Sequence, residues 1–222
     1  MGQTVTLIGS SGLVGSQLLE LLLQDEAYST IVLPVRRDPA IVHPKLRVVI
    51  MDFADEALYD DVIRGSECVF CAVGTTNKKV QGDKDAYRKV DFDIPVKAAK
   101  AAAAAGCYSF VLVSAIGANP DNNANFYLKL KGVTEEAVAK EHIPQVVFVR
   151  PSFLMGPRAE SRPTEAIGKV LAGIVSPLLF GSAKKYKGIQ ARDVARAMIA
   201  ATRKLPKGIH VMEYDQMKGL LK

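Results

Sequence analysis

Ser114, Tyr127 and Lys131 are the residues whose types and spacing most directly suggest chemistry. On a helix, residues four apart share a face. The phenol and ammonium of Tyr127-x-x-x-Lys131 can therefore face one reacting atom. An unperturbed tyrosine titrates near ~10, too high for efficient proton transfer at neutral pH. A neighbouring ammonium stabilises tyrosinate and lowers that value. Ser114 ends the apolar run Val111-Leu112-Val113, where a strand can present a hydroxyl to a substrate oxygen. These parts suit reduction of a carbonyl, or the reverse oxidation of an alcohol. Tyr127 would give the proton, Ser114 would polarise the oxygen, and Lys131 would anchor a cofactor ribose. The spacing of Tyr127 and Lys131 is common by itself, so its meaning depends on a cofactor site nearby.

Such a site is legible upstream. Gly9-Ser10-Ser11-Gly12-Leu13-Val14-Gly15 follows the β-branched run Thr4–Ile8 and precedes the leucine-rich stretch Ser16–Gln24. A strand, a Gly-x-x-Gly-x-x-Gly loop and a helix are the context of a dinucleotide fingerprint. The glycines give a tight turn, close approach of backbone to pyrophosphate, and close helix–strand packing. Loop amides and the helix dipole attract phosphate. Val35-Arg36-Arg37 closes the next predicted strand, Thr30–Val35. An acidic residue there would bond an adenosine ribose and favour NAD. The arginine pair instead suits a 2′-phosphate, which selects NADP(H); either guanidinium can also stack on adenine. Asp52-Phe53, after the predicted strand Leu46–Met51, can meet the adenine edge and face. Val73-Gly74-Thr75-Thr76, after the predicted strand Glu67–Val73, can approach the cofactor ribose.

These residues need a scaffold with one common edge. Predicted strands alternate with predicted helices: Ala54–Ile63, a long helix Asp83–Ala105, strand Tyr108–Ser114, helix Tyr127–Lys140 and strand Gln145–Val149. That alternation predicts an α/β Rossmann fold, a doubly wound parallel sheet whose ligands sit at the strands' carboxyl ends. The 222 residues suit one domain, with 151–190 forming a small substrate cap broken by prolines. A helix Ala191–Arg203 follows. The asparagine-rich stretch Asn119–Asn125 reads as a mobile loop near the site.

Composition excludes several classes. Hydrophobic residues make up 49% and charged residues 23%, against disorder. No apolar run is long enough for a membrane span, and no leader pattern opens the chain, so a cytoplasmic protein is expected. The net charge of +6 favours an anionic partner. Its densest cluster, Lys184-Lys185-Tyr186-Lys187, reads as a solvated loop, which disfavours nucleic acid. Cys68 and Cys71 are three apart on a strand and face opposite ways. They read as core thiols, and no metal site is expected.

Several runs together resemble the short-chain dehydrogenase/reductase superfamily in its extended or atypical branch. They resemble most the family of the human Tat-interacting tumour-suppressor oxidoreductase. These runs are Ile8–Gly15, Arg36-Arg37, Gly74-Thr75-Thr76, Ala105-Gly106-Cys107, Asn125–Gly132, and Arg150-Pro151 with Gly156–Pro163. The resemblance covers nearly the whole chain. It implies an NADPH-binding fold with a serine–tyrosine–lysine triad. It places Ser11, Gly12, Leu13, Val14, Arg36, Arg37, Val73, Gly74, Tyr127, Lys131 and Arg158 at cofactor positions, with Pro151–Leu154 passing the nicotinamide. Asp91 departs from the superfamily's pattern, where asparagine is usual. Two functions stay open: an NADPH-dependent oxidoreductase on a small carbonyl or alcohol, and a non-enzymatic NADPH-binding regulator acting through a protein partner. The exposed faces of the long helices can also pair in a homodimer.

Overall fold

The structure is a computed structural model that describes residues 2–77, 79–156 and 186–222. The chain begins with β1 (Gln3–Ile8), α1 (Leu13–Gln24), β2 (Tyr28–Val35), β3 (Leu46–Ile50), α2 (Ala57–Ile63) and β4 (Cys68–Cys71). Then come α3 (Lys84–Arg88), a π-helical turn (Lys89–Asp93), α4 (Ile94–Ala104), β5 (Ser109–Val113), α5 (Phe126–Ala139) and β6 (Gln145–Val149). The C-terminal part holds β7 (Leu154–Met155), β8 (Ile189–Gln190), α6 (Ala191–Lys204), β9 (Gly208–Met212) and α7 (Tyr214–Leu220).

Among the described residues, seven strands form a parallel sheet in the order β3-β2-β1-β4-β5-β6-β9. β7 and β8 make a separate two-stranded parallel pair. The order reverses beside β1, and in such sheets the reversal opens a crevice at the carboxyl ends. The expected doubly wound Rossmann sheet is therefore present.

The central strands are mostly apolar because both sheet faces are covered there. One face packs Val5, Leu7, Phe70 and Val111 against Leu18 and Leu22 of α1 and Val194 and Met198 of α6. The other packs Ile8, Val69, Phe110 and Leu112 against Ile63 of α2, Ala98 and Ala102 of α4, and Val138 of α5. Each of the larger side chains among these contributes about 1.5–3 kcal/mol when fully buried. Cys68 belongs to the first face and Cys71 to the second, as their spacing predicts. Among the described residues, no group of acidic, histidine and cysteine side chains could hold a metal, and no helix is long and apolar enough to cross a membrane.

Two expected helices differ in their bounds, and the asparagine-rich stretch is a loop as expected. α1 begins at Leu13, not Ser16, so the helix starts inside the glycine loop. The helix expected over Asp83–Ala105 is interrupted by the π-helical turn. The asparagine-rich stretch is a series of turns held by its own side chains: Asn119 accepts from the Asp121 amide at 3.0 Å and Asn122 from the Asn125 amide at 2.9 Å.

Candidate active site

The parallel strands bring every candidate loop to one edge. At the end of β1, Gly9 has φ +92°. A Cβ there would lie 2.7 Å from the backbone of Ala72 and Val73, just past β4. The Gly12 amide donates to the Gly9 carbonyl at 3.1 Å and closes the turn. A Cβ on Gly15 would lie 2.0 Å from the Gly9 oxygen, so α1 is pressed directly onto the turn. Gly12 itself caps α1 without a side chain. The first-turn amides, those of Leu13 and Val14 included, have no carbonyl one turn earlier to bond. Ser10 is buried and Ser11 is exposed beside them. This backbone cradle, kept tight by the close backbone approaches that Gly9 and Gly15 allow, fits a pyrophosphate.

Arg36 and Arg37 follow the end of β2 and are exposed, and neither pairs with a carboxylate among the described residues. Two cations at this side of the crevice suit an anionic group. Asp52 and Phe53 follow β3, but both already have structural roles. Asp52 accepts from the Ala54 amide at 2.9 Å, and the ring of Phe53 meets Tyr59 edge-on at 6.2 Å. After β4, Val73 is half-buried, Gly74 exposed and Thr75 buried. The Thr75 amide donates to Asp91 at 2.8 Å, and its carbonyl accepts from the Tyr87 hydroxyl at 3.2 Å.

β5 delivers Ser114 to the same edge. Its amide donates to the Val149 carbonyl at 2.7 Å, while its hydroxyl is buried with no hydrogen-bond partner among the described residues. Asn125 caps α5 by accepting from the Leu128 amide at 3.2 Å, which sets Tyr127 in the first turn and Lys131 a turn further on. Gly132 allows α5 to approach this closely, since a Cβ there would lie 2.2 Å from the Pro120 nitrogen. The Lys131 ammonium stands 6.0 Å from the centre of the Tyr127 ring, and the Tyr87 ring packs edge-on against Tyr127 at 6.2 Å. Lys129 points away and donates to Asn123 at 2.7 Å.

Lys131 is 5% exposed and pairs with Asp91 at 2.9 Å. Burial alone would pull its pKa down. The charge of Asp91 and its hydrogen bond, with the Tyr127 phenol beside it, outweigh burial and hold the ammonium above its ordinary value. Asp91 and Tyr87 are the site residues that the sequence did not single out for a role. Asp91 stood out only as a departure from a family pattern, and its inward aim depends on the π-helical turn.

The chain returns over the glycine loop after β6. Pro151 is buried and its carbonyl accepts from the Ile116 amide at 3.0 Å. Leu154 pairs in β7 with Ile189 of β8, and a Cβ on Gly156 would lie 3.2 Å from Leu13. Arg158, with most of the expected cap, lies outside the described residues.

The profile of a family described as NAD(P)H-binding matches residues 9–204. The chain belongs to this NAD(P)H-binding family. Two similar proteins come from a yeast and from the rat. Protein FMP52-1, mitochondrial, from Scheffersomyces stipitis is 36% identical over 157 residues, 70% of this chain and 69% of that one. Protein HTATIP2 from Rattus norvegicus is 31% identical over 175 residues, 77% of this chain and 71% of that one. The expected likeness to the Tat-interacting oxidoreductase family therefore holds. The enzyme WbmF from Bordetella bronchiseptica, solved in complex with NAD+, superposes with a TM-score of 0.71 at 20% identity, covering 99% of this chain and 77% of its own, which shows the shared fold. The mitochondrial names of the fungal relatives overturn the expected cytoplasmic location.

Proposed function

We propose that this member of the NAD(P)H-binding family is an NADPH-dependent oxidoreductase acting on a small carbonyl or alcohol. The observation that carries this reading is the buried Ser114 hydroxyl, which has no partner among the described residues and sits at the edge that holds the glycine cradle and the Tyr127–Lys131 pair. A buried unpaired hydroxyl is costly by about 1–3 kcal/mol, and one kept at a ligand edge fits bonding to a substrate oxygen. The glycine cradle would hold the pyrophosphate, and Arg36 and Arg37 the 2′-phosphate. When bound, the nicotinamide carries the hydride. Ser114 would orient and polarise the carbonyl, Tyr127 would donate the proton, and Lys131 would hold the ribose while keeping a positive charge near the phenol.

The test is calorimetric titration with NADPH and with NADH, for the native protein and for Arg37→Glu. NADPH should bind more tightly, and the variant should lose at least about tenfold for NADPH with little change for NADH, as expected for a charge-assisted phosphate contact. An unchanged preference refutes the 2′-phosphate assignment. A carbonyl screen with Tyr127→Phe then tests the chemistry. The variant should bind NADPH normally and lose turnover; equal turnover refutes the triad. Tight NADPH binding with no turnover in the native protein would favour a regulator.

A further inference from the structure

β9 ends the sheet, with β6 on one side and no strand on the other among the described residues. The Gly208 amide donates to the Pro144 carbonyl at 2.9 Å, and the Met212 carbonyl accepts from the Arg150 amide at 2.8 Å. Gly208, His210 and Met212 therefore turn their peptide groups towards β6, and by alternation Ile209 and Val211 turn theirs outward. Neither of these two has a backbone partner on that side among the described residues. β9 pairs with β6 in unbroken register, with no bulge or proline to blunt its edge. Such an edge is a template for another strand.

The side chains decide which strand it fits. Lys207, Ile209, Val211 and Glu213 recur at every second position, the spacing that shares one face of a strand. Ile209 and Val211 are exposed, as is Tyr108, whose ring centre lies 5.9 Å from the Lys207 ammonium. Lys207 is exposed, and Glu213 is half-buried and acts at longer range on Arg150, whose direct partner is Glu135. The strip thus runs from a cation through two apolar residues to an anion. Turned through a two-fold axis at His210, it is complementary to itself. Ile209 then lies opposite the partner's Val211, and Val211 opposite the partner's Ile209. These are the residues with outward peptide groups, so each opposed pair exchanges both of its N–H···O bonds. The same register sets Lys207 opposite the partner's Glu213 at both ends. Moving the axis to Ile209 would oppose Lys207 to the partner's Val211, and moving it to Val211 would oppose Ile209 to the partner's Glu213. Both shifts lose the match.

On the other face, His210 would meet the partner's His210. Its Nε2 is already held by the Pro206 carbonyl of its own chain at 2.9 Å. A groove of about 420 Å³, lined by His210, Met212, Gln216 and Leu220, leaves room there. The sheet's opposite edge, β3, carries Arg47 and no carboxylate, so it lacks this charge match.

We propose that β9 is a homodimer interface, in which two copies of this chain pair antiparallel about His210 and join their sheets into one. This does not depend on the oxidoreductase reading. The contact is short, at the transient end of interface sizes, so the dimer forms with rising concentration.

The experiment is sedimentation velocity of the full chain up to about 1 mM. The native protein should pass from monomer to dimer. Lys207→Glu and Glu213→Lys each place like charges opposite one another and should weaken the dimer at least about tenfold. Mixed in equal amounts, the two variants should associate about as well as the native protein, because opposite charges then meet at both ends. Val211→Pro removes an outward N–H that β6 does not use, so it should keep the native circular dichroism and lose the dimer. In the native protein, hydrogen exchange at the Ile209 and Val211 amides should slow at least about tenfold as the dimer forms. A monomer at every concentration overturns the proposal. So does a dimer that survives Val211→Pro and both charge variants, which would place the contact on another face such as the long helices. Weakening without recovery on mixing overturns the register. If a variant does not fold, the exchange of the native amides decides, and unchanged exchange in a dimer overturns the proposal.

Discussion

Two alanine substitutions in the glycine loop separate its packing role from its ligand role. At Gly15 a Cβ would lie 2.0 Å from the Gly9 oxygen and 2.8 Å from the Gly9 carbonyl carbon. Real Cβ contacts essentially never fall below 3.0 Å, so the loop and α1 must part by about 1 Å. Overpacking of this kind costs about 1–3 kcal/mol, and the obstacle here is backbone, which yields least. At about 2–4 °C per kcal/mol for a chain of this size, Gly15→Ala should melt about 2–12 °C lower. At Gly12 the same Cβ meets only the Gly9 oxygen at 3.3 Å and the Ala72 oxygen at 3.6 Å. Its φ of −78° suits any residue. Losing the N-cap preference costs up to about 1 kcal/mol, or about 4 °C at most. Room for the methyl in the protein does not mean room beside a pyrophosphate. Gly12→Ala should therefore stay nearly as stable and lose at least about tenfold in NADPH affinity, about 1.4 kcal/mol. Thermal melts followed by circular dichroism and calorimetric titration with NADPH read the two effects. Native affinity in Gly12→Ala would refute the cradle, and an unchanged melt in Gly15→Ala would refute the close packing of α1 on Gly9.

Asp25 is partly desolvated, which raises its pKa, but Arg203 at 2.6 Å, the Ala27 amide at 3.0 Å and Lys45 outweigh that and lower it below the usual 3.8. Its pairing therefore stabilises the fold above that value and is lost as pH falls through the lowered one. The melting difference between the native protein and Asp25→Asn should be present at pH 7 and shrink towards zero below about pH 4; a constant difference would count against the pairing. Burial pushes Cys71 up to about 12 and Cys107 up to about 11, and raises Cys68 well above the ordinary thiol. A thiol reagent at pH 8 should label none of the three in the folded protein and all of them after unfolding, and rapid labelling of one would refute its burial.

Much of this arrangement was legible because it follows from local rules. Unbroken apolar runs such as Phe110–Val113 mean a strand buried on both faces. The glycine triplet between strand and helix has a small set of physical solutions, and the four-residue spacing of Tyr127 and Lys131 fixes their common face. The C-terminal elements were not legible for equally physical reasons. β7 and β8 are two residues each, shorter than any period can register. β9 is the sheet's outer strand, with Ile209 58% exposed and Val211 43% exposed, so its alternation does not mark a buried face. The π-helical turn escaped because Lys89–Asp93 contains no glycine or proline to announce a break.

That turn changes what the site residues mean. Ser114 and Lys131 are both buried polar groups at one edge of the sheet, and burial of either without a partner is costly. The fold treats them differently. Lys131 receives a carboxylate from a separate helix, aimed by a break in that helix's regular period. Ser114 has its amide bonded to β6 and its hydroxyl left without a protein partner among the described residues. A site whose purpose was only to stabilise the sheet would gain by satisfying the hydroxyl or replacing it with alanine. A site that must polarise a carbonyl oxygen needs that hydroxyl held still and unspent, beside a cation whose charge is already balanced. The contrast between the paired ammonium and the unpaired hydroxyl supports chemistry at this edge more strongly than either residue does by its spacing in the sequence.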